Sequence, residues 1–292
     1  MQALKIRFFG PFTLSCGNVS VCEDGERSHK QWRLIKYLIL NRDRAVARRE
    51  LIDATFGYGA YIGREEDARN ALCAMLHRAR KTLGYLGLHA KSVITFEKNA
   101  YRFVMPEGAV TDTEVFEGLC EKIFSSGSVS ALKEHTLEAL DSYRGFFLDR
   151  DSIDEETRLA IGRYHSAYKR VFAVACGILR REQDFVTLAR IAERATVIDP
   201  LCEEFCIEHV RALISLGEAS MARESYQRSL AFFAESTALV TSEELRRLGA
   251  ELGAGDGAVL VLPEKYAAKA SQLEKMLTDA LGEGVGVKIS LI

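Results

Sequence analysis

The chain has 292 residues, 48% of them apolar and 27% charged, which is long enough for more than one hydrophobic core and ordinary for a globular protein. No run of 18 apolar residues occurs and the opening MQALKIRFFGPF alternates like a strand, so neither a membrane-spanning helix nor a secretory leader is expected, and a cytoplasmic location is. The net charge of −2 conceals a division: residues 1–105 hold 18 Lys+Arg against 10 Asp+Glu, a net of +8, and the remainder holds 21 against 31, a net of −10. A basic first third on an acidic remainder fits one module that meets a polyanion and another that does not. The seven cysteines are odd in number and form no C-x-x-C pair, which argues against a disulfide framework.

From Leu4 to Val21 the runs LKIRFF, FTLSC and NVSVC, divided by Gly-Pro and Gly-Asn, predict a small antiparallel meander. A helix follows from about Ser28, an N-cap, to Leu40, with Trp32, Ile35, Leu38 and Ile39 at helical spacing. A short extended piece, Ala45 to Ala47, leads into a second helix, RRELIDATF, whose inner side is expected to carry Leu51, Ile52 and Phe56. The loop GYGAYIG precedes a third helix containing RNALCAMLHRARKTLG, and SVITF and AYRFVM read as a hairpin joined through Glu97–Asn99. Strands, three helices and a closing hairpin are the order of a winged helix-turn-helix, expected over residues 1–106.

The third helix divides into two faces. On a helical wheel Ala68, Leu72, Met75, Leu76, Ala79 and Leu83 share one arc, which must face a core. Asn70, Ala74, His77 and Lys81 lie on the opposite line, with Arg78 on one flank and Cys73 on the other; Arg69 and Arg80 sit at the edge of the buried arc. An α-helix fits the major groove, where asparagine pairs bidentately with adenine and an alanine methyl touches that of thymine. Arginine and lysine beside it neutralise phosphates and set register. Glu65, Glu66 and Asp67 suit the helix dipole at its start but repel phosphate there. Further candidates for phosphate are Arg48 and Arg49 at the start of the second helix, Lys98 and Arg102 on the hairpin, and Lys30 and Arg33 on the first helix.

After Pro106 helical patterns recur from Asp112 to about Leu248 with short connections and small residues such as Ala189, Ala192 and Ala195 at interhelical spacing. They predict stacked antiparallel helix pairs of tetratricopeptide type, an all-α domain over 111–250. GAGDG reads as a linker, and GAVLVL, EKYAAKASQLEKMLTDAL and VGVKISLI as a β-α-β tail over 256–292.

These pieces together resemble the Streptomyces antibiotic regulatory protein (SARP) family of transcriptional activators. The matching segments are LKIRFFGPFTL, LIKYLILNRDRAVARRELIDATFG, DARNALCAMLHRARKTLG and ITFEKNAYRFV, and, in the following region, DTEVFE, ALDSYRGFFL, AERATVIDPLCEEF and ARESYQRSLAFF. The resemblance implies an OmpR-like winged helix, paired with a bacterial transcriptional activation domain. It implies binding to double-stranded DNA at direct repeats near a promoter, as a homodimer or side-by-side protomers, and recruitment of RNA polymerase through its sigma and alpha subunits. It carries Arg69, Asn70, His77, Arg78, Arg80 and Lys81 into the DNA-facing role and the loop Gly57–Gly63 into the polymerase-facing one. This chain departs from the family pattern at Phe56, Cys73, Ala74 and Ala100.

Cys202, Cys206 and His209 fall at i, i+4 and i+7 on one helical face, a spacing open to a soft metal or to small core residues. Cys73 on the groove face is open to a redox role. No nucleophile triad, G-x-G-x-x-G or P-loop is present, so no catalytic residue, cofactor or metal is expected, and no membrane partner. The competing reading is a helical-repeat adaptor whose winged helix does not read DNA.

Overall fold

The computed structural model describes residues 3–23, 29–125, 129–151, 153–237, 241–252, 257–262 and 286–291. It is mostly helical, with small sheets near the N-terminus, and divides into two units, Met1–Phe172 and Ala173–Ile292.

The first unit opens with strands β1 (Leu4–Arg7), β2 (Thr13–Cys16) and β3 (Val19–Cys22), the antiparallel meander that the alternation predicts. Helix α1 (His29–Leu40) follows, its Trp32, Leu34, Ile35, Leu38 and Ile39 buried; the expected Ser28 cap lies outside the described residues. Strand β4 (Val46–Ala47) leads into α2 (Arg48–Phe56), where the sequence placed it. On α2 the buried positions are Leu51, Ile52 and Thr55. Phe56 was expected inside but is only half-buried, its ring edge-on to Tyr61 at 5.3 Å. Thr55 takes the inner place because its hydroxyl donates to Leu51 O at 2.6 Å, so no polar group is left unpaired.

Helix α3 (Glu65–Tyr85) buries Ala68, Leu72, Leu76, Ala79 and Leu83. Met75, at the edge of the expected arc, is half-buried. A single helical turn, α4 (Ala90–Val93), takes Ser92 and Val93 out of the predicted strand, its Ser92 bonded back to His89 O. Strands β5 (Ile94–Glu97) and β6 (Ala100–Phe103) then form the hairpin, with β4 added to β6 in the order β4-β6-β5. Its two-residue turn, Lys98–Asn99, has φ of 48° and 65°, the left-handed pair that joins strands without splaying them.

Strand β7 (Val110–Thr111) was not foreseen. It is two residues long, too short for alternation to register, and pairs parallel to β1, giving the order β3-β2-β1-β7. Helices α5 (Asp112–Ser125) and α6 (Val129–Ser142) complete a core shared with the first sheet. Phe9 packs at a tilt on Tyr143 at 4.6 Å and meets Phe116 and Tyr164 edge-on. The chain segments interlock as well: Leu148 N donates to Phe8 O at 2.7 Å, Gly10 N to Phe146 O at 2.9 Å. A β-carbon on Gly145 would stand 2.9 Å from the Gly10 α-carbon, so only glycine permits the approach. The first unit therefore holds the elements expected over 1–106 together with the first helices of the following region. Its boundary falls inside α7 (Glu155–Glu182).

In the second unit α8 (Phe185–Ile198), α9 (Glu203–Ser215) and α10 (Ala219–Thr237) succeed one another through short connections. A further helix that the sequence pattern did not separate, α11 (Glu243–Glu251), is capped by Ser242, whose hydroxyl accepts from Leu245 N. Their core contains Cys206, Val210, Leu213, Ala222, Tyr226, Phe233, Leu245 and Leu248. Beyond them β8 (Gly257–Leu262) pairs in parallel with β9 (Gly286–Leu291), the two strands expected of the tail; the intervening helix and the GAGDG linker (Gly253–Gly257) lie outside the described residues, apart from Gly257 in β8. Among the described residues no helix is long and apolar enough to cross a membrane.

Candidate nucleic-acid interface

Burial of one stripe of α3 turns the other outward. Arg69, Asn70, Cys73, Ala74, His77, Arg78 and Lys81 are all exposed. Among the described residues Arg78, Lys98 and Arg102 meet no carboxylate within 4.0 Å, whereas Arg69 lies 3.9 Å from Glu66. Lys81 Nζ sits 5.9 Å from the Tyr85 ring centre. The acidic first turn of α3 is exposed as well, and among the described residues that Arg69 contact is its one neutralising neighbour.

The hairpin lies against one flank of α3, where Arg80 donates to Ile94 O. Lys98 is exposed at its turn and Arg102 on β6, opposite Thr95. Phe96, which sequence reasoning passed over, is also exposed there and packs on Tyr101 at 4.6 Å; an apolar residue on the outer face of a short strand is the signal that was available.

The remaining predicted cations are not all turned outward. Arg33 reaches inward, donating to Ala54 O at 2.6 Å and Ile153 O at 2.9 Å, because a long side chain on the rim of a buried face finds backbone carbonyls closer than solvent. Arg49 is exposed but pairs with Asp53 one turn on, at 3.3 Å. Arg48 is half-buried, its guanidinium 5.2 Å from the Phe96 ring centre. Arg80 donates to Ile94 O at 2.9 Å. Lys30 lies 5.5 Å from the Phe56 ring centre. The start of α2 is held to α1 by Glu50, which accepts from the Tyr37 hydroxyl at 2.7 Å and from Arg44. Burial pushes that phenol up to about 12.

The loop between α2 and α3 exposes Tyr58 almost fully and Ile62 at 72%. Of the other constellations, Cys202, Cys206 and His209 pack inside while Cys73 stays exposed. Among the described residues the three buried ones form no ligand cluster. Burial pushes the Cys206 thiol up to about 11 and holds the His209 imidazole below its usual value; His209 Nδ1 lies 2.9 Å from Ser225 Oγ. The only group of His, Cys, Asp and Glu close enough to share an ion among the described residues is Glu23, His29 and Asp151. Lys36 already stands between the two carboxylates, at 2.7 and 3.1 Å.

Residues 111–252 match the model of the bacterial transcriptional activator domain. The match covers just under half of the chain. The matched segment begins at β7 and ends just after α11, and the SARP-type resemblance read from the sequence agrees with it. Among solved structures the chain is similar to Mycobacterium tuberculosis EmbR in complex with a low-affinity phosphopeptide. The TM-score is 0.55 and the identity 20%, covering 86% of this chain and 65% of that one, so the two share a fold and this chain spans about two thirds of the other's length. No curated protein matches the chain.

Proposed function

We propose that the chain is a DNA-binding transcriptional activator whose first three helices and hairpin work as a winged helix-turn-helix. In this reading α3 enters the major groove and the hairpin reaches the neighbouring backbone. The observation that carries it is the outward row of α3, Asn70, Ala74, His77 and Lys81 with Arg78 beside it, exposed and next to a hairpin that presents Lys98 and Arg102 without partner carboxylates among the described residues. That arrangement suits one sequence-reading group flanked by phosphate-neutralising ones. The helices of the activator domain act as a tetratricopeptide-like platform. Protomers sit side by side on direct repeats near a promoter and recruit RNA polymerase, the exposed Tyr58 and Ile62 loop facing it. The protein works in the cytoplasm and is not an enzyme.

The test is binding to duplex DNA from the region upstream of the chain's own gene, followed at several salt concentrations. Replacing Arg78 and Lys81 by alanine should weaken binding to every duplex and reduce the salt slope by roughly 0.9 for each phosphate no longer neutralised. Asn70→Ala should leave the slope unchanged and relax sequence preference by about 1–3 kcal/mol at one position. Binding that is absent, or insensitive to salt, favours the adaptor reading instead.

A further inference from the structure

Arg80 and Arg48 look inward rather than toward a groove. Arg80 comes seven residues after Cys73, on the flank of α3 that faces the hairpin, between the buried arc and the row Asn70–Lys81. One terminal nitrogen of its guanidinium donates to Ile94 O, the first residue of β5, at 2.9 Å, and its Nε is buried without a partner among the described residues. Arg48 is placed likewise from α2: its guanidinium covers Phe96, its Nε is buried and unpartnered among the described residues, and its backbone N–H donates to Asn99 O in the turn at 3.2 Å. Both arginines act on Tyr101, whose ionisation burial and the Cys73 thiol oppose and the two guanidinium groups favour. The hairpin thus has one latch at its base, from α3, and one along its length, from α2.

Strands of four residues carry the turn about 13 Å from the base. A tilt of about 10° at Ile94 therefore moves Lys98 by about 2 Å, enough to break a phosphate hydrogen bond. We propose that Arg80 is a positioning residue. It clamps the base of the hairpin to α3 and so sets where Lys98 and Arg102 meet the DNA backbone, and it touches no phosphate itself. This rests on the DNA-binding reading above.

The proposal is tested with the full chain and the same duplex, using Arg80→Met, Arg80→Lys, the double variant Lys98→Ala/Arg102→Ala, and the double variant combined with Arg80→Met. The hairpin double should lose affinity on the order of tenfold. Arg80→Met should lose a similar factor, and the combination should be within about twofold of the hairpin double alone, because residues acting through one element are not additive. Arg80→Lys keeps the charge but not the planar fork and should behave like Arg80→Met. Additive losses, a slope that drops by about 0.9 in both backgrounds, or a lysine variant that binds like the parent would overturn the proposal and make Arg80 a phosphate contact. In the free protein, hydrogen exchange of the β5 and β6 amides should quicken on Arg80→Met and Arg80→Lys; unchanged protection also overturns it, whether or not DNA binds. A parent chain that binds no duplex refutes the DNA-binding reading, and the positioning role falls with it.

Discussion

Asp112, the first residue of α5, offers a test of how the first unit is held together. Its carboxylate accepts from Phe8 N at 2.8 and 3.0 Å and from Phe9 N at 2.9 Å. It thereby pins the end of β1 to the start of α5. Desolvation outweighs those bonds and raises its pKa from 3.8 to about 6. Folded, the group keeps its proton up to about pH 6; unfolded, only to about 3.8. Between those values the folded state binds more protons, so this contribution to stability is full below the lower value and falls as pH rises to the upper one. A shift of about 2 units corresponds to ~3 kcal/mol at 1.36 kcal/mol per unit. Asp112→Asn keeps an acceptor and removes the titration. Urea unfolding of both proteins from pH 4 to 7, followed by the fluorescence of Trp32, is the assay. Trp32 is the single tryptophan, buried against Phe12 in the first unit. The stability of the parent minus that of the variant should decline by ~3 kcal/mol across the window. A difference that stays flat, or rises with pH, would mean that the backbone donors outweigh burial, and the reasoning fails.

Gly145→Ala forces a β-carbon to within 2.9 Å of Gly10 backbone and should cost about 1–3 kcal/mol by the same fluorescence measurement. Thiol titration of the native chain should label the exposed Cys22 and Cys73 first, and reach Cys176 and Cys206, buried and with thiols held protonated by desolvation, only in denaturant. Fast labelling of Cys206 would contradict the packing of α9 against α10. On DNA, the contrast between Arg78/Lys81 and Asn70 should separate affinity from sequence preference, and the Arg80 variants should separate contact from positioning.

Periodicity made most of the elements legible. The two faces of α3 followed from spacing, with Met75 at the edge of the six-residue arc the exception, because aliphatic and alanine positions within one arc can be satisfied only by a core. The turn at Lys98–Asn99 was placed within one residue by the polar break between two alternating runs. The likeness of residues 111–252 to the activator-domain model was legible through the order of the helical segments rather than through any one motif, since general apolar patterning marks a helix without naming its family. The single turn α4 and the two-residue β7 were not legible, since they carry no period and exist because neighbouring backbone supplies their hydrogen bonds, whereas the equally short β4 was marked by the two helical patterns around it.

What the sequence by itself determined was the kind and order of elements, the outward row of α3, and the concentration of positive charge in the first third. Only the tertiary structure decided which cations are available. Arg33, Arg48 and Arg80 carry the same charge as Arg78 and Lys98, yet carbonyl oxygens and aromatic rings from distant segments have captured them. A guanidinium offers five donors on a long flexible stem, so its destination is set by which acceptors the fold brings within reach, and sequence spacing does not contain that information.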